Sequence, residues 1–132
     1  MILLIDTSDN EKIRLEIILS DKVFDKIWSS PNSASEVLSD AIKKFLAENK
    51  FTFEDIERVG VVSGPGHFSR IRAGVTTANA MAYALSVPVV GVLKGEKADY
   101  KAIISAKGSQ SVMPVYDKEP NISQPKAKKL PI

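Results

Sequence analysis

The chain has 132 residues, 44% hydrophobic and 26% charged, a composition typical of one globular domain and unlike that of collagen-like or wholly disordered chains. It has no cysteine and one histidine, which excludes disulfides, thiolate zinc sites and histidine-rich metal sites. The net charge of +2 does not by itself indicate a nucleic-acid partner, although residues 1–93 carry 10 basic and 12 acidic groups and residues 94–132 carry 8 and 4. The short apolar run after Met1 is too brief for a signal peptide, so we expect a cytoplasmic protein.

The first thirty residues predict three consecutive strands. An unbroken apolar run over residues 2–5 is typical of a strand buried on both faces. After a turn signal, apolar residues alternate with charged ones over residues 13–17, which indicates a half-exposed partner strand. We expect a third strand over residues 22–28.

Two helices and two further strands follow. Ser33 and Glu36 match a capping box at the start of a helix that ends near Asn49, and Thr52 is placed to cap a short turn. The remaining elements are a buried strand at 59–62, a helix at 68–86 and a strand at 88–92. Two right-handed crossovers in the same direction place both helices on one face of a mixed five-stranded sheet, an α/β fold.

The residues after the last of these strands give weaker signals. We expect a strand at 102–105 and an extended, irregular chain from Pro114 onward, with solvated lysines at its end. Because the first and last strands are apolar throughout, the sheet face opposite the helices needs a cover. We expect residues 94–116 to fold over it, including Tyr100, Ile103, Ile104, Val112, Val115 and Tyr116.

Two loops at strand ends are candidates for a phosphate or nucleotide contact. One is the turn with Gly64 and Gly66, where the chain can approach a ligand closely and the following helix start offers free amides. The other is Asp6-Thr7-Ser8, where a carboxylate and two hydroxyls could hold a metal-bound phosphate. The glycine spacing of a dinucleotide fingerprint and the lysine of a phosphate loop are both missing. Two interpretations stay open: a tight structural turn with side chains that satisfy hairpin amides, or a ligand site.

Three polar residues surround the start of the second helix. We interpret His67 as a solvated helix-start residue, since nothing in the sequence identifies an acid to orient it. Arg70 and Arg72 lie in the first helical turn, where positive charge opposes the helix dipole. We therefore expect carboxylate or phosphate partners for both arginines, most simply surface ion pairs. No catalytic residue, metal ligand set or cofactor site is identified.

Residues 73–86 predict about 21 Å of helix without a single charge. A helix that lies on one face of a sheet needs only one apolar stripe, yet here the other side is small or apolar as well. We expect a second protein surface to cover it, since small residues let another backbone approach closely. A membrane span is the alternative, which Thr76, Asn79 and Pro88 oppose.

Roughly residues 1–93 of the chain resemble the TsaB (YeaZ) family. The matching segments are Ile5-Asp6-Thr7-Ser8, the capped helix with Ser35-Glu36, and residues 63–74, 78–84 and 87–92, with a looser match of residues 113–120 to a C-terminal Pro-x-Tyr segment. His67, Ser69 and Arg70 stand where family members commonly have Ser, Thr and Gly. Only about twenty residues separate positions 93 and 113, where the family has a second lobe.

The resemblance implies a ribonuclease H-like fold, one half of the actin-like ATPase architecture. Residues 1–93 are expected to form the N-terminal lobe, and residues 94–132 a short remnant of the second lobe with a tail rich in proline and lysine. This expectation agrees with the mixed five-stranded sheet and the two helices on one face. The chain is thus expected to be a one-lobe form.

The resemblance also implies a function. TsaB is a non-catalytic partner of TsaD, which transfers a threonylcarbamoyl group to adenosine 37 of tRNA, and the ATPase TsaE is a third component. We therefore expect a subunit without catalytic residues, cofactor or metal that binds a TsaD-like enzyme, forms a homodimer when alone and meets tRNA only indirectly. The alternative is a small actin-like-fold phosphotransferase or hydrolase that binds nucleotide at the two loops.

In the family the partner contact is made by the first two helices. Carried over to this sequence, that contact predicts a set of interface residues on the two helices. The set comprises Val37, Ala41, Arg70, Ala73, Gly74, Thr77, Ala78, Met81, Ala82 and Leu85.

Overall fold

The computed structural model describes residues 1–95, 100–106 and 108–116. They form five strands, two long helices, one short helix and a single 3-10 turn. In chain order these are β1 (Ile2–Asp6), β2 (Lys12–Ile18), β3 (Val23–Ser29), α1 (Ala34–Glu48), the 3-10 turn (Phe53–Asp55), β4 (Arg58–Gly64), α2 (Phe68–Leu85), β5 (Val89–Leu93) and α3 (Tyr100–Ala106).

The five strands form one mixed sheet in the order β3-β2-β1-β4-β5. β1 pairs antiparallel with β2 and parallel with β4, while β3 is antiparallel to β2 and β5 is parallel to β4. The carboxyl ends of β1 and β4 therefore lie side by side, which brings the loops after Asp6 and Gly64 together. The predicted mixed five-stranded sheet is confirmed.

Both long helices pack on the same face of the sheet, as predicted. Alternate residues of each strand point into this core, because successive side chains of a strand face opposite sides. The core includes Leu3 and Ile5 from β1, Val59 and Val61 from β4, Leu38, Ile42 and Phe45 from α1, and Ile71, Val75 and Ala78 from α2.

The opposite face of the sheet is covered in part by α3. Tyr100 and Ile104 are buried against Leu4, Val62 and Val90 in a second apolar cluster. The strand predicted at 102–105 is wrong, because this segment is helical. A short apolar run does not distinguish strand from helix, and here Tyr100 and Ile104 lie one helical turn apart on the same side.

Residues 108–116, which we call the strap, run along the helix side of the sheet beside α2. Val112 and Tyr116 pack against the first core, so the expectation that they cover the opposite face is wrong. The expectation is correct for Tyr100, Ile103 and Ile104, while Val115 is 41% exposed. Space for the strap exists because Gly91 has no side chain: a Cβ there would lie 2.8 Å from Val112 Cγ1.

The start of α1 differs from the predicted capping box. The Ser33 hydroxyl is hydrogen-bonded to the Ser35 hydroxyl (2.8 Å), and the Ser30 hydroxyl donates to the Ser33 carbonyl (3.0 Å). The short turn capped at Thr52 is present, and the Thr52 amide donates to the Asp55 carboxylate (2.8 Å).

In the part of the chain that the structure describes, no helix is both long and apolar enough to cross a membrane. The irregular chain predicted from Pro114 holds through Tyr116, and the rest of that segment, with the lysines, lies outside the described residues.

Candidate functional site

The outer side of α2 carries no charge between residues 73 and 86. Its inner side is buried on the sheet, with Ile71 and Ala78 fully inaccessible. Its outer side is formed by small or neutral residues that are exposed or half-buried. We call this strip the α2 surface, and it comprises Ala73, Thr76, Thr77, Ala80, Tyr83 and Ala84.

The predicted interface set divides into two groups by burial. Val37, Ala73, Thr77, Met81 and Leu85 are half-buried and reach the surface. Ala41, Arg70, Gly74, Ala78 and Ala82 are buried within the chain. The placement of this second group at a partner interface does not agree with the structure, because its close contacts are internal. A Cβ on Gly74, for example, would collide with the Thr7 hydroxyl.

Arg70 is buried inside the chain, with only 4% of its surface exposed. Its Nε donates to the Asp9 carbonyl (2.6 Å), Nη1 to the Ser30 carbonyl (2.8 Å) and Nη2 to the Lys12 carbonyl (3.2 Å). The prediction of a carboxylate, a phosphate or a surface ion pair is therefore wrong for Arg70. Its guanidinium instead joins the start of α2 to the β1–β2 turn and to the end of β3.

The other two polar residues near the helix start are exposed. The Arg72 guanidinium lies over the Phe68 ring, 5.9 Å from its centroid, in cation–π geometry. His67 precedes the first residue of α2 and is exposed, as predicted. The Asp9 carboxylate accepts a hydrogen bond from the Glu11 amide (2.9 Å), which holds the pKa of Asp9 below its ordinary value.

The two candidate phosphate loops meet, but their polar groups are used within the chain. The Asp6 carboxylate accepts hydrogen bonds from the Ser8 amide (2.9 Å) and hydroxyl (2.6 Å). The buried Thr7 hydroxyl donates to the Arg70 carbonyl (2.6 Å). A Cβ on Gly66 would lie 3.2 Å from the Ser8 carbonyl, so the glycine permits close packing of the loops. Asp6, Thr7 and Ser8 thus make the internal contacts that the structural interpretation of these loops expects.

The strap also contacts the turn at Gly64. Gly64 has a φ of +126°, a value that residues with a side chain rarely adopt. The Val115 carbonyl occupies the position that a Cβ on Gly64 would take. The Val115 amide donates to the Ser63 carbonyl (2.6 Å), and the Tyr116 ring lies 4.6 Å from the Phe68 ring. The approach to Gly64 that a ligand would need on this side is thus taken by the chain itself.

Asn79 is the functional candidate that the sequence analysis did not identify. Its side chain donates to the Val112 carbonyl (3.0 Å) and accepts from the Val112 amide (2.9 Å). The signal was present, since Asn79 is the one amide side chain between residues 73 and 86. Within the described residues, no group of three or more histidine, aspartate or glutamate side chains is placed to hold a metal ion.

Comparisons with known proteins agree with this fold. The family model described as "TsaD: tRNA N6-adenosine threonylcarbamoyltransferase" matches residues 30–116. The tRNA N6-adenosine threonylcarbamoyltransferase of Clostridium kluyveri is 40% identical over 57 residues, which is 43% of this chain and 17% of the relative. That of Nautilia profundicola is 29% identical over 86 residues, 64% of this chain and 26% of the relative. The chain thus spans about a quarter or less of these relatives' length.

Two solved structures from Pseudomonas aeruginosa have the same fold. One, described as an uncharacterized protein with similarity to peptidase YEAZ, superposes with a TM-score of 0.68 at 20% identity, covering 76% of this chain and 47% of that chain. YeaZ itself gives a TM-score of 0.67 at 20% identity, covering 76% of this chain and 49% of that chain. The protein is therefore of the actin-like ATPase fold class, as the resemblance to YeaZ implied. By its match over residues 30–116, the chain belongs to the TsaD family of tRNA N6-adenosine threonylcarbamoyltransferases.

Proposed function

We propose that this chain is a non-catalytic, TsaB-like subunit that binds a TsaD-like enzyme through the α2 surface. In this role it supports N6-threonylcarbamoylation of adenosine 37 in tRNA, with a TsaE-like ATPase as a third component and tRNA contacted only through the complex. The family membership and the YeaZ-like fold support the choice of pathway. The α2 surface supports the choice of a binding role.

The observation that carries the proposal is the absence of charge on the α2 surface. The outer side of α1 carries Glu36, Asp40, Lys43, Lys44 and Glu48, as a solvated helix commonly does. The α2 surface instead presents small neutral residues and Tyr83, which is 88% exposed. The cores of protein interfaces are depleted of charged residues and enriched in tyrosine. The α2 surface therefore shares with interface cores the lack of charge and an exposed tyrosine, in contrast to the charged outer side of α1.

A partner of the same fold family suits this surface. Small residues on one helix allow a second helix to approach closely, and two helix pairs that face each other pack as a bundle. A TsaD-like enzyme of related fold would offer a similar pair of helices. A second copy of this chain would offer the identical pair, so a two-fold homodimer is expected when the enzyme is absent.

The contacts of the strap and the two loops support a non-catalytic role. The carboxylate of Asp6 is bonded to Ser8, and the space beside Gly64 is taken by Val115. The competing function is a nucleotide-binding phosphotransferase or hydrolase built on these residues. Calorimetry with Mg-ATP separates the two: we expect no measurable heat of binding. A submillimolar affinity that Asp6→Asn abolishes would favour the enzyme instead.

The proposal is tested by copurification and by reconstitution. We expect the purified chain to form a stable complex with the threonylcarbamoyltransferase of the same genome, measured as mass in solution. We expect modification of a tRNA that reads codons beginning with A to be faster when the chain is added to the enzyme and its substrates. A chain that stays monomeric beside the enzyme, and that leaves the modification rate unchanged, would refute the proposal.

A further inference from the structure

The strap is attached to α2 at two places. In the middle of α2, Asn79 holds Val112 through the two hydrogen bonds given above. At the start of α2, Tyr116 stacks on Phe68. Phe68 and Asn79 are three helical turns apart, so both lie on the same flank of α2. Met81 and Leu85 lie on a different flank and pack against the first core.

The strap is also fixed to the sheet at both of its ends. Ser109 and Val89 exchange backbone hydrogen bonds (2.9 and 3.0 Å), and the Val115 amide donates to the Ser63 carbonyl. Between these points Val112 fills the space above Gly91. The strap is thus the lateral support of α2 on the side away from α1, since it occupies the helix side of the sheet between α2 and the edge strand β5.

We infer that the strap and α2 open and close as one unit, so that a docked strap is required for the α2 surface to bind its partner. The inference rests on the proposed function for the identity of the partner. A surface that is held in its bound geometry loses less entropy on association, so a strap that fixes α2 strengthens binding. By linkage, a partner that binds only the closed form must suppress opening of the strap to the same extent.

Asn79→Ala tests the inference by hydrogen exchange. The substitution releases Val112 directly, so the informative reporters are the more distant Val115 amide in the strap and the Ile71 amide, which donates to the His67 carbonyl at the start of α2. We expect both to exchange at least tenfold faster. Alanine favours helix more than asparagine does, so faster exchange at Ile71 would not come from lower helix propensity.

Two further variants serve as controls. Asn49→Ala also removes one hydrogen bond from an asparagine side chain to a backbone carbonyl, that of Phe45, but at the end of α1. We expect Asn49→Ala to leave the exchange rates of the Val115 and Ile71 amides as they are in the unaltered chain, apart from any change that follows from a lower global stability. Asn79→Asp keeps an acceptor for the Val112 amide but places a carboxylate oxygen against the Val112 carbonyl, so it is expected to speed exchange at Val115 and Ile71 as Asn79→Ala does.

The binding arm uses the threonylcarbamoyltransferase of the same genome as the probe. We expect Asn79→Ala to weaken its affinity at least tenfold, and the enzyme to slow exchange at Val115 in the unaltered chain. Faster exchange confined to Val112, or unchanged affinity with an opened strap, would overturn the inference. If the unaltered chain fails to bind the enzyme, the proposed function fails, while exchange at Val115 and Ile71 still decides whether the strap and α2 open together.

Discussion

The buried guanidinium of Arg70 joins three parts of the chain through backbone carbonyls. One carbonyl is that of Asp9 in the β1–β2 turn, one is that of Lys12 at the start of β2, and one is that of Ser30, which follows β3. Hydrogen bonds from a charged donor are stronger than those between neutral groups, and a buried carbonyl left without a donor is costly. Arg70 therefore stabilises the fold by joining these three segments, and its guanidinium does not reach a partner.

Replacing Arg70 by methionine should destabilise the protein strongly. The apolar side chain retains much of the packing but leaves the three carbonyls without this donor, so we expect a loss of about 2–4 kcal/mol in the free energy of unfolding. Urea denaturation followed by circular dichroism measures it. Arg72→Met is the matched control, since Arg72 is exposed, and its effect is expected to stay within about 0.5 kcal/mol. Equal stability of the two variants would contradict this account of Arg70.

Ala78 and Ala80 show how two alanines on one helix take opposite roles. Ala78 is fully buried in the core, whereas Ala80 is exposed on the α2 surface. A carboxylate introduced at position 78 would be buried without a partner, which costs several kcal/mol. The same substitution at position 80 places the carboxylate in water.

We therefore expect Ala78→Glu to unfold the protein or to lower its melting temperature steeply, and Ala80→Glu to leave it nearly unchanged. Thermal unfolding of both variants, followed by circular dichroism, checks the prediction. Similar melting temperatures would mean that α2 is turned differently on the sheet from the orientation described here.

At the scale of elements, α3 protects the sheet face that α1 and α2 leave open. Ile104 is fully buried against Leu4 and Val62. Its Cδ1 packs directly over Gly60, because a Cβ on Gly60 would lie only 2.8 Å from it. This close fit explains why a seven-residue helix suffices as a cover for the centre of the sheet. Because a helix this short is not stable alone in water, α3 depends on these contacts with the sheet.

Ile104→Ala should cost about 2–4 kcal/mol, because the lost contacts leave a cavity between α3 and the sheet. Ile27→Ala is the control: Ile27 lies in the edge strand β3 and is 53% exposed, so the same substitution should cost far less. Denaturant unfolding of the two variants gives the comparison. If Ile27→Ala were as damaging as Ile104→Ala, the second apolar cluster would not be the stabilising contact.

Most elements could be predicted from the sequence because their patterns are local. The alternation over β2 has the period of a strand and the apolar spacing of α1 has that of a helix, while the short apolar runs of β1, β4 and β5 are recognised by their length and by the turn residues that bound them. The strap has no period. Its position depends on Gly91 and Asn79, which are distant in sequence and meet Val112 only in the folded chain.

At the scale of the whole molecule, the lack of charge on α2 was visible in the sequence, but half of the ten interface residues that the family resemblance predicted on the two helices are buried within the chain. Sequence alone gave no means to separate the small residues that face a partner from those that face the chain's own core. Gly74 lies against Thr7, and Arg70 fills a position where the resembled family commonly has glycine. Both residues serve internal contacts that only the arrangement of the β1–β2 turn reveals.

The most direct test of the account is the affinity of Ala80→Glu for the threonylcarbamoyltransferase of the same genome, measured by calorimetry beside Ala47→Glu. Both are exposed alanines on long helices, but Ala47 lies on the charged outer side of α1. We predict that Ala80→Glu weakens binding at least tenfold, about 1.4 kcal/mol, because it buries a charge in the interface. Ala47→Glu should bind as the unaltered chain does. Equal affinities of the two variants, both folded, would contradict docking through the α2 surface.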